Sequence, residues 1–281
     1  MEKKKEKRVS VILPTFNRAW TLKNAVDSVL AQEYGAIEII VIDDGSTDNT
    51  RDILEGYGDK IQVLTQVNKG VSAARNLGIK RSCGEFVALL DSDDAWKPDK
   101  ISCQVDFFEQ NPEALICQTE EIWIRNGKRV NPKRKHKKLS GMIFEPSLHL
   151  CLVSPSAVMM RKQLFALKGY FNEAFPVCED YDLWLRILAD YPIFLVDRPC
   201  TIKYGGHGDQ LSSFHSQDKY RIISMVQLIQ KKTLSREYER MTARVLEEKC
   251  RIYGNGCLKR EKNEEGRYYL ELADRVLEGI L

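Results

Sequence analysis

The stretch "FVALLDSDDAW", Phe86 to Trp96, sets Asp91, Ser92, Asp93 and Asp94 directly behind an apolar run. Three carboxylates within four residues repel one another, so a chain needing only a turn would use Asn, Gly or Ser there. Carboxylates on alternate residues are hard oxygen ligands that can face one side. Such a pair suits Mg2+ or Mn2+ and leaves coordination positions open for phosphate oxygens. Two further acidic pairs stand out: Asp43-Asp44 in "IDDG", and Glu179-Asp180 in "EDYDLWLR". The first ends another apolar run. The second opens a helical pattern, where acids suit the helix dipole.

The elements around these residues explain how they could meet. "VSVIL", "IEIIVID", "KIQVLTQ" and "EFVALLD" are apolar runs separated by helical patterns, such as "AWTLKNAVDSVLAQ" with Leu22, Val26, Val29 and Leu30 on one face. Ser46 reads as the N-cap of the second helix, and Pro98 as a first-turn residue of the helix after the acidic cluster. Strand and helix in alternation, with strands apolar on both faces, predict a mostly parallel α/β sheet flanked by helices. In such a sheet ligands bind beyond the carboxyl ends of the strands. Those ends carry Pro14-Thr15-Phe16-Asn17-Arg18, Asp43-Asp44-Gly45-Ser46, Asn68-Lys69-Gly70 and the Asp91–Asp94 cluster. After Asn111 the rhythm changes to strand, polar loop, strand, short helix and strand. From about Ser216 three amphipathic helices follow, separated by Thr233-Leu234 and Gly254-Asn255-Gly256. We therefore expect a catalytic unit over 1–215 and a helical C-terminal extension over 216–281.

Composition narrows the function. With 43% hydrophobic and 30% charged residues in 281, the chain has material for a large globular core. A net charge of +3 is too small to make nucleic acid the default partner, and none is expected. The basic runs "KKKEKR" (Lys3 to Arg8) and "KRKHKK" (Lys133 to Lys138) read first as solvated segments. Their sharper reading is attraction to an anionic membrane surface or an anionic acceptor. No apolar stretch reaches the roughly 18 residues of a membrane span, and Pro14 breaks the run behind the basic start, which argues against a signal peptide. Eight scattered cysteines without metal-site spacing argue for reduced thiols and a cytoplasmic setting. Membrane attachment would then be peripheral, and a homo-oligomer stays open. A phosphate-binding GxxxxGK[ST] loop, a GxGxxG turn after the first strand and a GxSxG elbow are all missing.

Five blocks, "VSVILPTFNRAWTLKNAVDSVLAQ", "EIIVIDDGSTDNT", "NKGVSAARNLGI", "GEFVALLDSDDAWKPDKI" and "EDYDLWLRI", follow in order and spacing that resemble the family 2 glycosyltransferases, over roughly residues 8 to 215. The resemblance implies an inverting enzyme of the glycosyltransferase A-type fold, with a nucleoside diphosphate sugar donor, a glycan or lipid-linked acceptor, and Mn2+ or Mg2+. It implies that Pro14, Thr15, Phe16 and Asn17 line the nucleotide base and that Asp44 accepts an imide N–H of a uracil-type base. Arg75 reaches the pocket as a cation, and Asp91, beside Ser92, holds the ribose. Asp93 ligates the metal, with Asp94 behind it. By the same resemblance Asp180 corresponds to the general base, while Asp182 caps the helix or pairs with Arg186. The block "YGGHGDQLS" reads as a lid whose His207, followed by Gln210 and Ser212, touches phosphate or metal. The implied reaction moves a sugar in one in-line displacement, in surface polysaccharide or glycolipid assembly. Two rivals are a catalytically silent nucleotide-sugar-binding scaffold and a sugar-phosphate nucleotidyltransferase; the absence of glycine in "PTFNR" disfavours the latter.

Overall fold

The structure, a computed structural model, describes residues 6–208 and 216–279. Its first half alternates as the sequence predicts: β1 (Val9–Thr15), α1 (Leu22–Leu30), β2 (Ile37–Asp43), α2 (Thr50–Glu55), β3 (Gln62–Thr65), α3 (Val71–Arg81) and β4 (Phe86–Leu89). These strands pair in parallel in the order β3-β2-β1-β4, with Val9 opposite both Ile37 and Phe86. β1 is buried along its whole length because both of its faces are covered.

The second half turns the sheet mixed. Its elements are β5 (Ala95–Trp96), α4 (Lys100–Gln110), β6 (Ile116–Arg125), β7 (Lys128–Val130), α5 (Phe144–His149), β8 (Val158–Arg161), α6 (Gln163–Lys168), α7 (Glu179–Leu188) and β9 (Phe194–Gly205). β8 runs antiparallel between β4 and β6, β9 pairs parallel with β6, and β5 closes on β9 antiparallel. The β6–β9 register slips around Glu120, which faces Pro199; proline has no N–H for the ladder, and a bulge absorbs it.

Alternation along the central strands divides the core. Val9, Val11 and Leu13 join Leu22, Val26, Ile101 and Phe108 under α1 and α4. Ile12, Ile40 and Ile42 face the other way, into a cluster with Tyr181 and Trp184. That cluster continues through α8 (Gln217–Gln230), α9 (Arg236–Lys259) and α10 (Asn263–Leu277), taking in Ile222, Met225, Leu246 and Cys250. Each such side chain is worth ~1.5–3 kcal/mol when fully buried, so these helices are built into the main core.

Three local expectations are corrected. Ser46 does not cap α2, whose N-cap is Asn49; its hydroxyl instead accepts the Asn17 N–H at 2.9 Å, tying the first two strand-end loops together. Pro98 lies before α4, whose N-cap is Asp99. α9 runs straight through Gly254-Asn255-Gly256, and the break comes after Lys259. Gly254 faces Gly266 on α10, where an added Cβ would lie 2.9 Å from the Gly266 carbonyl oxygen. The glycine permits a close helix crossing, which offsets its cost of ~1 kcal/mol in a helix interior.

Candidate active site

The strand ends open on one cavity of about 1090 Å3. Pro14, Thr15, Phe16, Asn17, Asp44, Arg75, Asp91, Ser92, Asp93 and Asp180 all line it. The loop after β1 is fixed by Asn17, which adopts a left-handed φ of 51° that asparagine tolerates. Its side-chain oxygen accepts the Thr47 N–H at 2.8 Å. Asp44, at the end of β2, is buried and accepts from Gln66 Nε2 (2.6 Å), the Lys69 N–H (2.9 Å) and the Gly70 N–H (2.8 Å). A carboxylate has about four acceptor positions, so Asp44 retains room for one more donor from the cavity.

Arg75 joins the two acidic regions. It sits on α3, only 2% exposed, with Nη2 donating to Asp91 Oδ1 and Nη1 to Glu179 Oε1, both at 2.6 Å. One guanidinium thus clamps the end of β4 to the start of α7. Burial and the neighbouring Asp180 push the Glu179 carboxyl up to about 7, although Arg75 opposes this. Asp180, the next residue, turns its carboxylate to the cavity wall instead. Oδ1 accepts the Tyr181 N–H at 2.7 Å and Oδ2 the Cys151 thiol at 3.5 Å. Burial, then Asp180 itself, holds that thiol well above its ordinary value, so Cys151 stays a proton donor. Asp182 points the other way, to Arg186 at 2.8 Å and Ser224 at 3.1 Å.

Asp93 and His207 meet at the cavity mouth, with His207 Nε2 3.1 Å from Asp93 Oδ2 and Trp20 edge-on to the imidazole. Burial and then Asp91 raise the Asp93 carboxyl above its ordinary range. Asp94 is buried, its Oδ1 accepting the Tyr204 N–H at 3.2 Å, and burial pushes it well above the ordinary value. Carboxylates that raise one another in this way fit a divalent cation between them. Among the described residues no group of three protein donors gathers at one point. Asp93 and His207 are the two residues there that would hold such an ion. Gln210 and Ser212 of the predicted lid lie outside the described residues, as do Lys3, Lys4 and Lys5 of the first basic run.

Several lining residues carried no sequence signal. Lys203, on β9, donates to Ser154 Oγ at 3.0 Å. Burial would lower its pKa, but Glu121, Asp94, Asp91 and Asp180 keep it charged. Arg221, on α8, reaches the cavity between Asp218 at 3.1 Å and the Tyr181 ring. The second basic run is not simply solvated. Lys138 is buried against Glu121 at 3.0 Å, and Lys135, His136 and Trp123 form part of the cavity wall. No motif could have revealed these contacts, because each partner comes from a distant strand or loop.

A parallel strand–helix half with an acidic cleft at its carboxyl ends defines an α/β protein with a cavity at the strand ends. The chain matches the signature described as Glycosyl transferase family 2 over residues 10–167, and it belongs to that family. It is 36% identical over 209 residues to an uncharacterized glycosyltransferase of Rickettsia conorii, covering 72% of this chain and 34% of that protein. It is 34% identical over 194 residues to the UDP-Glc:alpha-D-GlcNAc-diphosphoundecaprenol beta-1,3-glucosyltransferase WfgD of Escherichia coli, covering 67% of this chain and 73% of that one. The chain thus spans about a third of the Rickettsia conorii relative's length. Crystalline S. aureus TarS in complex with UDP-GlcNAc superposes with a TM-score of 0.76 at 21% identity, over 96% of this chain and 81% of that chain. The mannosyltransferase PcManGT of Pyrobaculum calidifontis, in complex with GDP-Man and Mn2+, gives 0.64 at 14% identity, over 97% and 74%. At these identities the two structures speak for the fold.

Proposed function

We propose that the protein is an inverting glycosyltransferase that moves a sugar from a UDP-type donor to a hydroxyl of a glycan or lipid-linked acceptor. The observation that carries this reading is the Arg75 clamp. It holds Asp91 of the donor-side loop and Glu179, next to Asp180, on a single guanidinium, so both carboxylate regions face one cavity. UDP-sugars in the names of WfgD and of the TarS complex support the donor class, and the lipid-diphosphate acceptor of WfgD supports the acceptor class.

In this reading the base lies along Pro14–Asn17, with its imide N–H on the open acceptor position of Asp44 and the ribose hydroxyls on Asp91 beside Ser92. Asp93 and His207 would hold Mn2+ or Mg2+, which when bound offsets charge on the diphosphate. Asp180 takes the proton from the acceptor hydroxyl as its oxygen bonds to the anomeric carbon from the face opposite the leaving group. The C–O bond to the diphosphate breaks in the same step, inverting the anomeric centre without a covalent sugar–enzyme intermediate. Among the described residues no helix is long and apolar enough to cross a membrane.

The test is a panel of UDP-sugars with Mn2+ and an extract of lipid-linked glycans, read as UDP release and as product mass. Acceptor-dependent UDP release with a one-sugar mass gain is expected. UDP binding without release under any condition would favour the scaffold reading instead.

A further inference from the structure

The cavity has a second, basic arm of lining that carries none of the residues assigned to the donor. Its walls are Glu121 and Trp123 of β6, Lys135, His136 and Lys138 of the following loop, the Leu150–Pro155 segment, Lys203 of β9 and Arg221 of α8. Its acids are already answered. Glu121 is paired with Lys138 at 3.0 Å and hydrogen-bonded by the Trp123 indole N–H at 2.8 Å. Lys138 and Lys203 together draw the Glu121 carboxyl down to about 2 against the opposing effect of burial. What is left unanswered is positive. Lys133, Arg134, Lys135 and Lys137 make no ion pair among the described residues, and all four are exposed. His136 packs on Trp123 with ring centroids 5.3 Å apart, and the Lys203 ammonium lies 6.0 Å from the same ring. Burial, then Lys135 and Lys133, holds the His136 imidazole below its ordinary pKa. An anion seated there would relieve that repulsion. A half-buried indole flanked by donors is also a surface on which the apolar face of a sugar ring can lie.

We propose that this arm binds a phosphate-bearing sugar, with the phosphate on Lys135 and His136, the ring against Trp123, and an acceptor hydroxyl toward Asp180. The location of the acceptor rests on the transferase reading, whereas the phosphate site rests on the arm's own charge and geometry. The shared chemistry is a sugar phosphate, and two sources supply it: a sugar on a lipid diphosphate, or a water-soluble sugar-phosphate polymer.

Calorimetry with the full chain, saturated with UDP so that the donor side is filled, tests the site without needing turnover. A hexose 1-phosphate binds at least tenfold tighter than the free hexose. Lys135→Ala/His136→Ala removes most of that advantage, and Trp123→Ala weakens both ligands. Equal binding of the two ligands to the unaltered protein, or an undiminished phosphate advantage in the double variant, overturns the proposal. Competition against the hexose 1-phosphate then separates the sources: displacement by a detergent-solubilised polyprenyl diphosphate sugar supports the lipid, and displacement by a soluble hexose-phosphate oligomer supports the polymer. Displacement by neither overturns the site. UDP binding with no transfer to any acceptor would count against the transferase reading alone and leave the phosphate advantage to be read as stated.

Discussion

Arg75→Met is the perturbation that addresses the organisation of the site most directly. The guanidinium is nearly inaccessible, and so is the Glu179 carboxylate, whose side chain is 6% exposed. Deleting the cation leaves Glu179 buried beside Asp180 without its compensating charge, and Asp91 loses a 2.6 Å hydrogen bond. Breaking one side of a buried pair costs ~3–5 kcal/mol, which for a chain of this size lowers Tm by roughly 10 °C. The loss has a pH signature. Glu179 already has its folded pKa raised to about 7 from an ordinary 4.5, so its ionised form costs stability above pH 7 and the cost disappears as pH falls toward 4.5. Without Arg75 that pKa rises further, so the destabilisation is larger at pH 8 than at pH 6. Arg75→Met/Glu179→Gln, which removes both charges, recovers most of the loss. Urea unfolding of the three proteins at both pH values reads this out, with an unchanged m-value showing that the unfolding transition stays comparable. A single variant within ~1 kcal/mol of the unaltered protein, or a double variant no more stable than the single one, would refute the clamp.

Three other outcomes are expected, the first two on the proposed transferase reading. Asp180→Asn leaves UDP-sugar affinity within about threefold and cuts turnover by ~10²–10⁴, the range for a lost general base; near-normal UDP release would show that another group takes the proton. Asp93→Ala weakens UDP binding in Mn2+ at least tenfold while binding in EDTA hardly changes, and equal affinities with and without the ion would remove Asp93 from metal binding. Lys100, fully buried 3.6 Å from the Trp96 ring centroid with the Val158 carbonyl as its one hydrogen-bond partner among the described residues, has its pKa lowered by burial to about 7. Because a folded pKa below the ordinary 10.5 favours the unfolded state as protons bind, stability declines as pH falls from about 10.5 to about 7 and is flat below. The limit is ~5 kcal/mol at pH 7. Lys100→Met is therefore more stable at pH 7 by up to that amount, with the gain shrinking toward pH 10; a urea midpoint lowered at both pH values contradicts it.

What the sequence determined by itself was local. Continuous apolar runs alternating with period-3.6 helices specified the parallel half, and that pattern placed "PTFNR", "DDGS" and "DSDD" at strand ends facing one crevice. The spacing of Asp182 and Arg186 on one helix fixed their pairing, because neighbours four apart lie on the same face. Tertiary structure decided everything that joins distant segments. Arg75 finds carboxylates 16 and 104 residues away, and whether such an arginine is solvated or buried depends on which elements pack over it. Lys138 reads as one more charge in a basic run until β6 places Glu121 beside it. Gly254 reads as part of a break between helices, and only the crossing of α9 and α10, where it meets Gly266, gives it a purpose. Side-chain periodicity reports which face of an element is covered. The identity of the group on the far side is a property of the assembled sheet, and in this protein it sets the charges around Asp180.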